Sequence, residues 1–292
     1  MKTLHGTGVA LVTPFKSDES IDFDALRKLI HHVSDTGGVD YLVVQGTTGE
    51  SATLTKVEKR EVLSFVLSEN KGKLPIVYGL GGNNTKAVLA EIAETDFKGV
   101  TAILSVSPYY NKPSQAAIIN HYQLIADQCP VPVILYNVPG RTSSNMTAGT
   151  TLALAKHPNI IGMKEASGNL EQCMAIARQK PSDFLLISGD DMLTTSMAAI
   201  GATGVISVLA NAYPKTFHLI IHSALKGDFK TSSEATFQLL DINPLMYAES
   251  NPVGVKALLQ QMGIMENFVR LPLLPASAEL QDAIAKTAPK LP

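Results

Sequence analysis

The sequence predicts a (β/α)8 barrel followed by a small helical segment. Eight short, nearly continuous apolar runs alternate with stretches that have the period of an amphipathic helix. Apolar runs without polar alternation are typical of parallel strands that are buried on both faces of a sheet. Eight strand–helix units in about 225 residues fit an α/β barrel better than a doubly wound sheet, which normally has fewer strands and opens with a phosphate-binding glycine motif.

The predicted strands follow one another at regular intervals, and glycine, proline or polar residues close most of them. They span residues 8–12, 41–44, 75–78, 101–104, 131–136, 160–164, 184–188 and 204–208. Helical patterns follow the strands: one capped by Asp22, then 56–69, 86–96, 114–127 and about 147–156, with one more after each of the last three strands. The predicted order is therefore an uninterrupted alternation of strand and helix.

The last part of the sequence differs from the rest because it has no strand-like run from about Gly227 onward. Helical patterns over 231–241 and 253–262 are its clearest features, and the chain then becomes rich in proline. We expect a catalytic barrel over residues 1–226 and a C-terminal helical subdomain over 227–292 that packs on it.

Composition excludes several classes of function. The 292 residues include 24 Lys+Arg and 26 Asp+Glu, a formal charge of −2, so nothing favours binding to nucleic acid or to an anionic membrane surface. The apolar runs are well short of the ~20 residues that span a bilayer. Cys129 and Cys173 belong to no metal-type motif, and we interpret them as core thiols of a cytoplasmic protein.

In α/β barrels the active site lies at the carboxyl ends of the strands, which draws attention to Lys164. It closes the sixth strand, where alternation places it with Ile160 and Gly162 on the side that we take as the barrel interior. A lysine sheltered there loses hydration, which favours the neutral amine that attacks a carbonyl carbon to form an imine. On position alone, a lysine that reaches solvent is the commoner case.

Other strand ends carry groups that complement such a lysine. Tyr136 ends the neighbouring strand and its phenol can transfer protons, while Thr47 and then Tyr110 are candidates for further hydroxyls in a relay. Arg141, in the turn after Tyr136, can hold a carboxylate through two parallel hydrogen bonds. The loop 46–49 can offer backbone N–H groups to a small carboxylate. Taken singly, such residues are more often ordinary core, surface or turn residues.

Metal and cofactor motifs are weak. The segment 79–84 lacks the last glycine of a dinucleotide loop and has no suitable acidic partner. The seven histidines show no cluster, and most are expected on helix surfaces. Asp190 and Asp191 suggest a helix N-cap more than a divalent cation site. We therefore expect neither a metal nor an organic cofactor.

Together, the strand ends resemble those of the dihydrodipicolinate synthase family, part of the pyruvate-dependent class I aldolase superfamily. The resemblance covers nearly the whole chain, and its motifs are Gly46–Ser51, Pro108–Asn111, Tyr136–Thr142, Gly162–Gly168 and Ser188–Asp191. It implies a lyase of diaminopimelate and lysine biosynthesis that joins pyruvate to L-aspartate 4-semialdehyde through a Schiff base on Lys164, without a cofactor.

The resemblance also implies a role for each remaining residue. Tyr136 would pass protons, and Thr47 and Tyr110 would complete the relay. Tyr110 would come from the neighbouring subunit, so a homodimer or, commonly, a homotetramer is implied. The substrate-binding residues would be Thr48 for the pyruvate carboxylate, Arg141 for the semialdehyde carboxylate, and Gly189 and Ile206 as pocket lining.

Two other functions share part of this pattern. N-acetylneuraminate lyase and keto-sugar-acid aldolases have the same lysine, tyrosine and a similar loop. The pair Thr47–Thr48 and the turn 140–142 favour the synthase, because a sugar-acid enzyme typically lacks Arg141. A catalytically silent barrel that binds a keto acid would have lost Lys164 or Tyr136, and both are present.

Feedback control by lysine is a further property of some family members. The residues that match their lysine site are Ser51, Asn83 and Tyr109. The positions where sensitive members tend to have two histidines and a glutamate are occupied by Lys56, Lys59 and Ala87. Two added cations would repel a lysine ammonium, and the lost carboxylate removes its partner. The sequence therefore predicts weak or absent inhibition by lysine.

Overall fold

The computed structural model describes residues 4–35 and 37–291, and its centre is a closed barrel of eight parallel strands in sequence order. The strands are β1 (Gly6–Ala10), β2 (Tyr41–Val44), β3 (Ile76–Gly79), β4 (Ala102–Val106), β5 (Val133–Asn137), β6 (Ile160–Glu165), β7 (Leu185–Ser188) and β8 (Gly204–Ser207). Pairing of β1 with β8 closes the barrel. The predicted fold class is confirmed, while residues 1–3, Thr36 and the last residue of the predicted tail lie outside the described residues.

Helices follow the strands. Those that accompany the barrel are α1 (Phe23–Ser34), α2 (Lys56–Asn70), α3 (Thr85–Glu94), α4 (Gln115–Gln128), α5 (Pro139–Thr142), α6 (Ala148–Leu154), α7 (Leu170–Gln179), α8 (Thr194–Ala199) and α9 (Pro214–Leu225). The C-terminal segment adds α10 (Phe229–Phe237), α11 (Val253–Gln261) and α12 (Ala278–Thr287). Asp22 caps α1 as predicted. Within the described ranges, no helix is long and apolar enough to cross a membrane.

Two hydrophobic layers result from the alternation of side chains along the strands. An inner cluster fills the barrel and includes Tyr41, Ile134 and Tyr136, whereas a larger outer cluster joins the strands to the helices. Gly8 makes the inner layer possible, because a Cβ there would lie 2.2 Å from the ring of Tyr41. A side chain at this position would therefore displace the aromatic ring that fills one end of the barrel.

Two predictions about the strands are wrong. β1 begins two residues earlier than predicted, at Gly6. The expectation that Ile160 shares the interior side with Lys164 is wrong, because Ile160 belongs to the outer cluster. The pairing of β5 with β6 shifts between Val133 and Ile134, and this irregularity reverses the side-chain alternation once. Such a one-residue insertion cannot be recognised in a sequence whose residues are all apolar.

The C-terminal helices are tied to the loop that follows β2. Lys256 on α11 is fully buried and forms an ion pair with Glu50, which is buried as well. The Asn251 side-chain amide donates a hydrogen bond of 3.0 Å to the Thr48 hydroxyl. The loop 47–50 is therefore held from the side opposite the strands by residues about 200 positions later in the chain.

A second contact joins the C-terminal segment to the start of α2. The Arg270 guanidinium donates to both carboxylate oxygens of Glu58, at 2.5 and 3.0 Å. Glu58 also accepts from the backbone N–H of Thr55, which is the N-cap of α2. These donors, Arg270 foremost, lower the pKa of Glu58 from 4.5 to about 2.

We expect this bridge to make the fold sensitive to acid. The unfolded chain takes up a proton at Glu58 near pH 4.5 and the folded chain only near pH 2, so the bridge stabilises the fold above pH 4.5 and is lost between these values. Denaturant unfolding from pH 6 to pH 3 should therefore show a steeper loss of stability for the wild type than for Glu58→Gln. The exposed Glu61→Gln on the same helix is the control and should follow the wild type. Equal pH slopes for all three proteins would contradict this assignment.

Candidate active site

Lys164 and Tyr136 lie side by side at the carboxyl end of the barrel. They are register partners on β6 and β5, and the Lys164 ammonium nitrogen is 4.5 Å from the centroid of the Tyr136 ring. Lys164 is only 6% exposed, so the amine is sheltered as the sequence predicts. Gly189, directly after β7, leaves room for its side chain: a Cβ there would be 3.0 Å from Lys164 Cε and 2.6 Å from Ala166 Cβ.

The loop after β2 forms two 3-10 turns, Thr47–Gly49 and Ser51–Thr53, which are joined by Glu50 with a left-handed φ of 52°. Its residues divide between two environments. Thr47 lines the cavities described below, whereas Thr48 is buried, bonded to Asn251, and lines neither of them. The buried ion pair of Glu50 with Lys256 holds the loop in this unusual backbone conformation.

Two adjoining cavities lead towards Tyr136. The outer one has a volume of about 360 Å³, within the range of ~300–1,000 Å³ usual for small-molecule sites. Arg141, Tyr109 and Asn251 are among its lining residues. The inner one is smaller, about 70 Å³, and reaches Tyr136. Residues that line both are Thr47, Ser51, Lys59, Gly81 and Val106. Lys164 lines neither cavity and lies next to the Tyr136 ring at their inner end.

The segment that carries Arg141 is anchored by a polar network beneath the site. The Asn137 amide donates to Asn145 at 2.8 Å and to both oxygens of the buried Glu165 at 3.1 Å. The Asn137 side-chain carbonyl oxygen accepts from the backbone N–H of Met146 at 3.0 Å. Residues 138–146 are thus fixed at both ends, and Arg141 extends from their short helix to the rim of the outer cavity.

The structure brings some of the other predicted residues to the site and leaves others apart. Ser51 and Tyr109 line the outer cavity, and Asn83 donates to the Tyr109 carbonyl oxygen at 3.1 Å. Ile206 packs in the inner cluster of the barrel together with Tyr136. Tyr110 points away from this chain's cavities: it is 88% exposed and has a positive φ of 71°.

The expectation that Asp190 and Asp191 cap a helix is wrong for α8, whose N-cap is Leu193. The buried Asp191 instead accepts from the backbone N–H groups of Val208 and Leu209, at 3.2 and 2.9 Å, and so orders the chain after β8. Burial raises the pKa of Asp191 to about 6, and the Leu209 hydrogen bond opposes this rise.

Sequence reasoning missed three residues that shape the site, namely Glu50, Asn137 and Lys256. One signal was available for Lys256, because it is the only charged residue in the apolar run Val253–Leu259 of a helix. The partner of Glu50 lies about 200 residues away, and the partners of Asn137 lie in a loop and on the next strand, where no periodic pattern pairs them.

The barrel is closed, and at the carboxyl ends of its strands it shelters an amine and a phenol beneath a cavity whose lining includes Arg141 and Thr47. This combination defines a barrel enzyme. The dihydrodipicolinate synthetase family model matches residues 3–291, and the chain belongs to that family. The predicted resemblance and the predicted class of enzyme are confirmed.

Individual relatives agree with this assignment over their full lengths. The chain is 50% identical over 291 residues to a 4-hydroxy-tetrahydrodipicolinate synthase of Cytophaga hutchinsonii, covering 100% of this chain and 98% of the relative. The crystal structure of the Aquifex aeolicus dihydrodipicolinate synthase superposes with a TM-score of 0.93 at 37% identity, covering 97% and 96% of the two chains. A variant described as the first monomeric dihydrodipicolinate synthase gives a TM-score of 0.94 at 34% identity, covering 98% and 96%.

Proposed function

We propose that the chain condenses pyruvate with L-aspartate 4-semialdehyde to give 4-hydroxy-tetrahydrodipicolinate through an imine on Lys164. The single observation that carries this proposal is the amine of Lys164, which is 6% exposed and lies 4.5 Å from the Tyr136 ring centroid. The synthase activity named for the relatives supports the choice of substrates.

The chemistry begins when the Lys164 amine attacks the pyruvate carbonyl and water is lost. The protonated imine acidifies the methyl group, because its nitrogen accepts the electron pair released on deprotonation. The resulting enamine carbon attacks the aldehyde of the second substrate. The amine of that substrate then displaces Lys164, which closes the ring and frees the enzyme. The imine nitrogen accepts the electron pair on deprotonation and returns it when the enamine carbon attacks, while the aldehyde oxygen takes up an electron pair and a proton. These steps therefore need no metal or organic cofactor.

Tyr136 is proposed to transfer the protons that imine formation and ring closure require. It is the ionisable group of the inner cavity that is nearest to Lys164, and Thr47 lines the same cavity. Thr48 is proposed to bind the pyruvate carboxylate, and Gly189 and Ile206 to shape its pocket. Arg141, at the rim of the outer cavity, is placed to bind the semialdehyde carboxylate.

The relay is proposed to be completed by Tyr110 of a neighbouring subunit in a homodimer or a dimer of dimers. In support, this tyrosine is almost fully exposed on a backbone with positive φ, a conformation that is uncommon for a bulky residue and persists where surrounding contacts fix it. Analytical ultracentrifugation of the wild type and of Tyr110→Phe measures the assembly. A wild type that is monomeric and fully active would contradict this part of the proposal.

Borohydride trapping tests the imine directly. Pyruvate plus borohydride should add the mass of a reduced pyruvyl group to one peptide, the one that contains Lys164, whereas borohydride alone should add nothing. A coupled assay with pyruvate and the semialdehyde, run beside N-acetylneuraminate, then tests the substrate. Label on another lysine would refute the imine proposal, and turnover of the sugar acid alone would move the function to the competing aldolase class.

Tyr136→Phe is expected to lower kcat by about 10²- to 10⁴-fold, the usual loss when a general acid–base is removed. The ring that contacts Lys164 remains, so the variant should fold. The control is Tyr41→Phe, since the Tyr41 hydroxyl is buried at the other end of the barrel without a hydrogen-bond partner. Its removal should leave kcat unchanged. An active Tyr136→Phe enzyme would exclude the phenol from proton transfer.

We also propose weak or absent inhibition by L-lysine. The structure changes the physical reason for it, because repulsion by Lys56 and Lys59 matters less than the sequence suggests. Each of the two lysines has a carboxylate partner: Lys56 lies 3.0 Å from Glu94, and Lys59 lies 3.6 Å from Glu91. These partners offset part of the expected repulsion, so the missing carboxylate at Ala87 becomes the larger factor.

A lysine titration of initial rates should therefore leave the wild-type rate nearly unchanged. The triple variant Lys56→His/Lys59→His/Ala87→Glu should become measurably inhibited. Strong inhibition of the wild type would contradict this proposal.

We also propose a cytoplasmic location, which the two buried free thiols Cys129 and Cys173 support.

A further inference from the structure

A group of metal-ligating side chains lies at the end of the barrel opposite to Lys164. Asp40 directly precedes β2, and His218 and His222 lie on α9. One ligand atom from each of the three residues lies within 4.8 Å of the others. The prediction that the histidines do not cluster is wrong here, because a spacing of four residues places both on one face of α9.

The ligand atoms of this cluster lie close together beside Gly6. His222 Nε2 is 2.9 Å from Asp40 Oδ2, and the two imidazole rings are 4.0 Å apart between centroids. Gly6, with φ of +86°, has no Cβ; one built there would lie 2.1 Å from Asp40 Oδ2 and 2.9 Å from His222 Nε2. The glycine therefore keeps the ligand atoms uncovered.

A second observation points to a missing partner. His218 Nδ1 is buried and has no hydrogen-bond partner, which is costly for a polar atom. A neutral imidazole has a lone pair on one of its two ring nitrogens, so an unpartnered ring nitrogen can serve as a metal ligand. The Asp40 carboxylate is oriented by the Thr7 N–H at 2.7 Å, as outer hydrogen bonds commonly orient a metal ligand.

We propose that Asp40, His218 and His222 bind one divalent transition-metal ion of the zinc class. Two imidazoles and one carboxylate are the donor set that Zn²⁺, Co²⁺ and Ni²⁺ accept, whereas Mg²⁺ and Ca²⁺ prefer oxygen ligands. The side chains of His222 and Asp40 are 29% and 28% exposed, so the ion has a path from solvent and water can complete its coordination.

On binding, the metal ion takes the place of the proton in the hydrogen bond between His222 Nε2 and Asp40. That proton leaves Nε2 for solvent, and the neutral ring then carries its hydrogen on Nδ1. The ion would then join α9 to the starts of β1 and β2, far from the catalytic lysine. Its expected effect is on the stability of the fold, and the proposal does not depend on the reaction assigned to the other end of the barrel.

Co²⁺ titration of tag-free, chelator-treated protein tests this site. One ion per chain should bind, with the visible absorption of a four- or five-coordinate cobalt centre, and Zn²⁺ should displace it. His218→Ala should weaken this binding by at least about tenfold. The matched control is His157→Ala, which removes another partly buried histidine that pairs with an aspartate, at 3.0 Å, and should bind like the wild type.

Thermal unfolding with and without Zn²⁺ distinguishes a variant that has lost a metal ligand from one that no longer folds. Without metal, His218→Ala and Asp40→Asn should both still unfold cooperatively, because the amide of Asp40→Asn still offers an oxygen to the Thr7 N–H and Nδ1 of His218 has no bond to lose. Asp40→Asn also loses the ion pair with His222, so the metal-free Tm of each variant is its own baseline. Zn²⁺ should raise Tm for the wild type and for His157→Ala but not for these two variants. Absence of binding, or binding that is equal in wild type and His218→Ala, would overturn the proposal and leave His222 and Asp40 as an ordinary ion pair.

Discussion

Lys164→Met is expected to reduce turnover by on the order of 10³-fold or more, the scale of loss seen when a covalent nucleophile is removed. Methionine has nearly the volume of lysine and suits a sheltered position, so the barrel should keep its packing. The variant should also lose all labelling by pyruvate and borohydride. Steady-state rates and intact-protein mass measure the two effects on one sample.

The matched control is Lys180→Met. Lys180 donates from its ammonium to the Phe184 carbonyl oxygen at 2.8 Å, just before β7 begins and therefore at the other end of the barrel. The Lys180→Met substitution removes a partly buried lysine that does not contact the site. The turnover of this variant should equal that of the wild type. If Lys164→Met kept a tenth or more of the wild-type rate, covalent catalysis by this residue would be excluded.

Lys256→Met is expected to destabilise the fold by about 3–5 kcal/mol, the usual cost of leaving one member of a buried ion pair alone. Lys256 is fully buried and the Glu50 side chain is only 3% exposed, so water cannot replace the lost cation. Glu50 would then either stay charged at high cost or take up a proton. Denaturant unfolding at pH 7 measures the change in free energy.

The double variant Glu50→Gln/Lys256→Met tests whether the loss of stability arises from the buried Glu50 carboxylate that has lost its partner. It should recover much of the stability, because a neutral amide costs less to bury than a carboxylate. Lys230→Met, which breaks an exposed pair with Glu234 at 4.0 Å, should change stability by no more than about 0.5 kcal/mol. A loss below about 1 kcal/mol for Lys256→Met would show that the pair is not needed to hold the loop.

The strands and most helices were predictable because each satisfies a local rule. A parallel strand that is buried on both faces is mostly apolar, and Tyr41–Val44 was predicted with its observed bounds. The β6 irregularity was not predictable, since an extra residue within the apolar run Ile160–Met163 changes which side chains face inward without changing composition. The short helix Pro139–Thr142 was taken as a turn for a related reason, because four residues are too few to show a period.

The candidate site was predicted in part, as a set of strand ends. Lys164 and Tyr136 were found because the carboxyl ends of barrel strands converge by construction. Their separation depends on the register between β5 and β6. The cavities that lead to them and the exposure of Tyr110 depend on how the loops fold back over the barrel. Thr48 shows the limit: its hydroxyl is bonded to Asn251, about 200 residues away, and no pattern in the sequence links the two.

The amino-acid sequence by itself determined the barrel, its order of elements, the family and the lysine–tyrosine pair, because these follow from periodicity and from motifs that lie within a few residues of each strand end. Only the tertiary structure decided which buried charges meet. The pair of Glu50 with Lys256 and the group of Asp40 with two histidines of α9 join segments that are about 180–200 residues apart. Burial forces each charged group to find a partner, but the fold alone selects which partner is within reach.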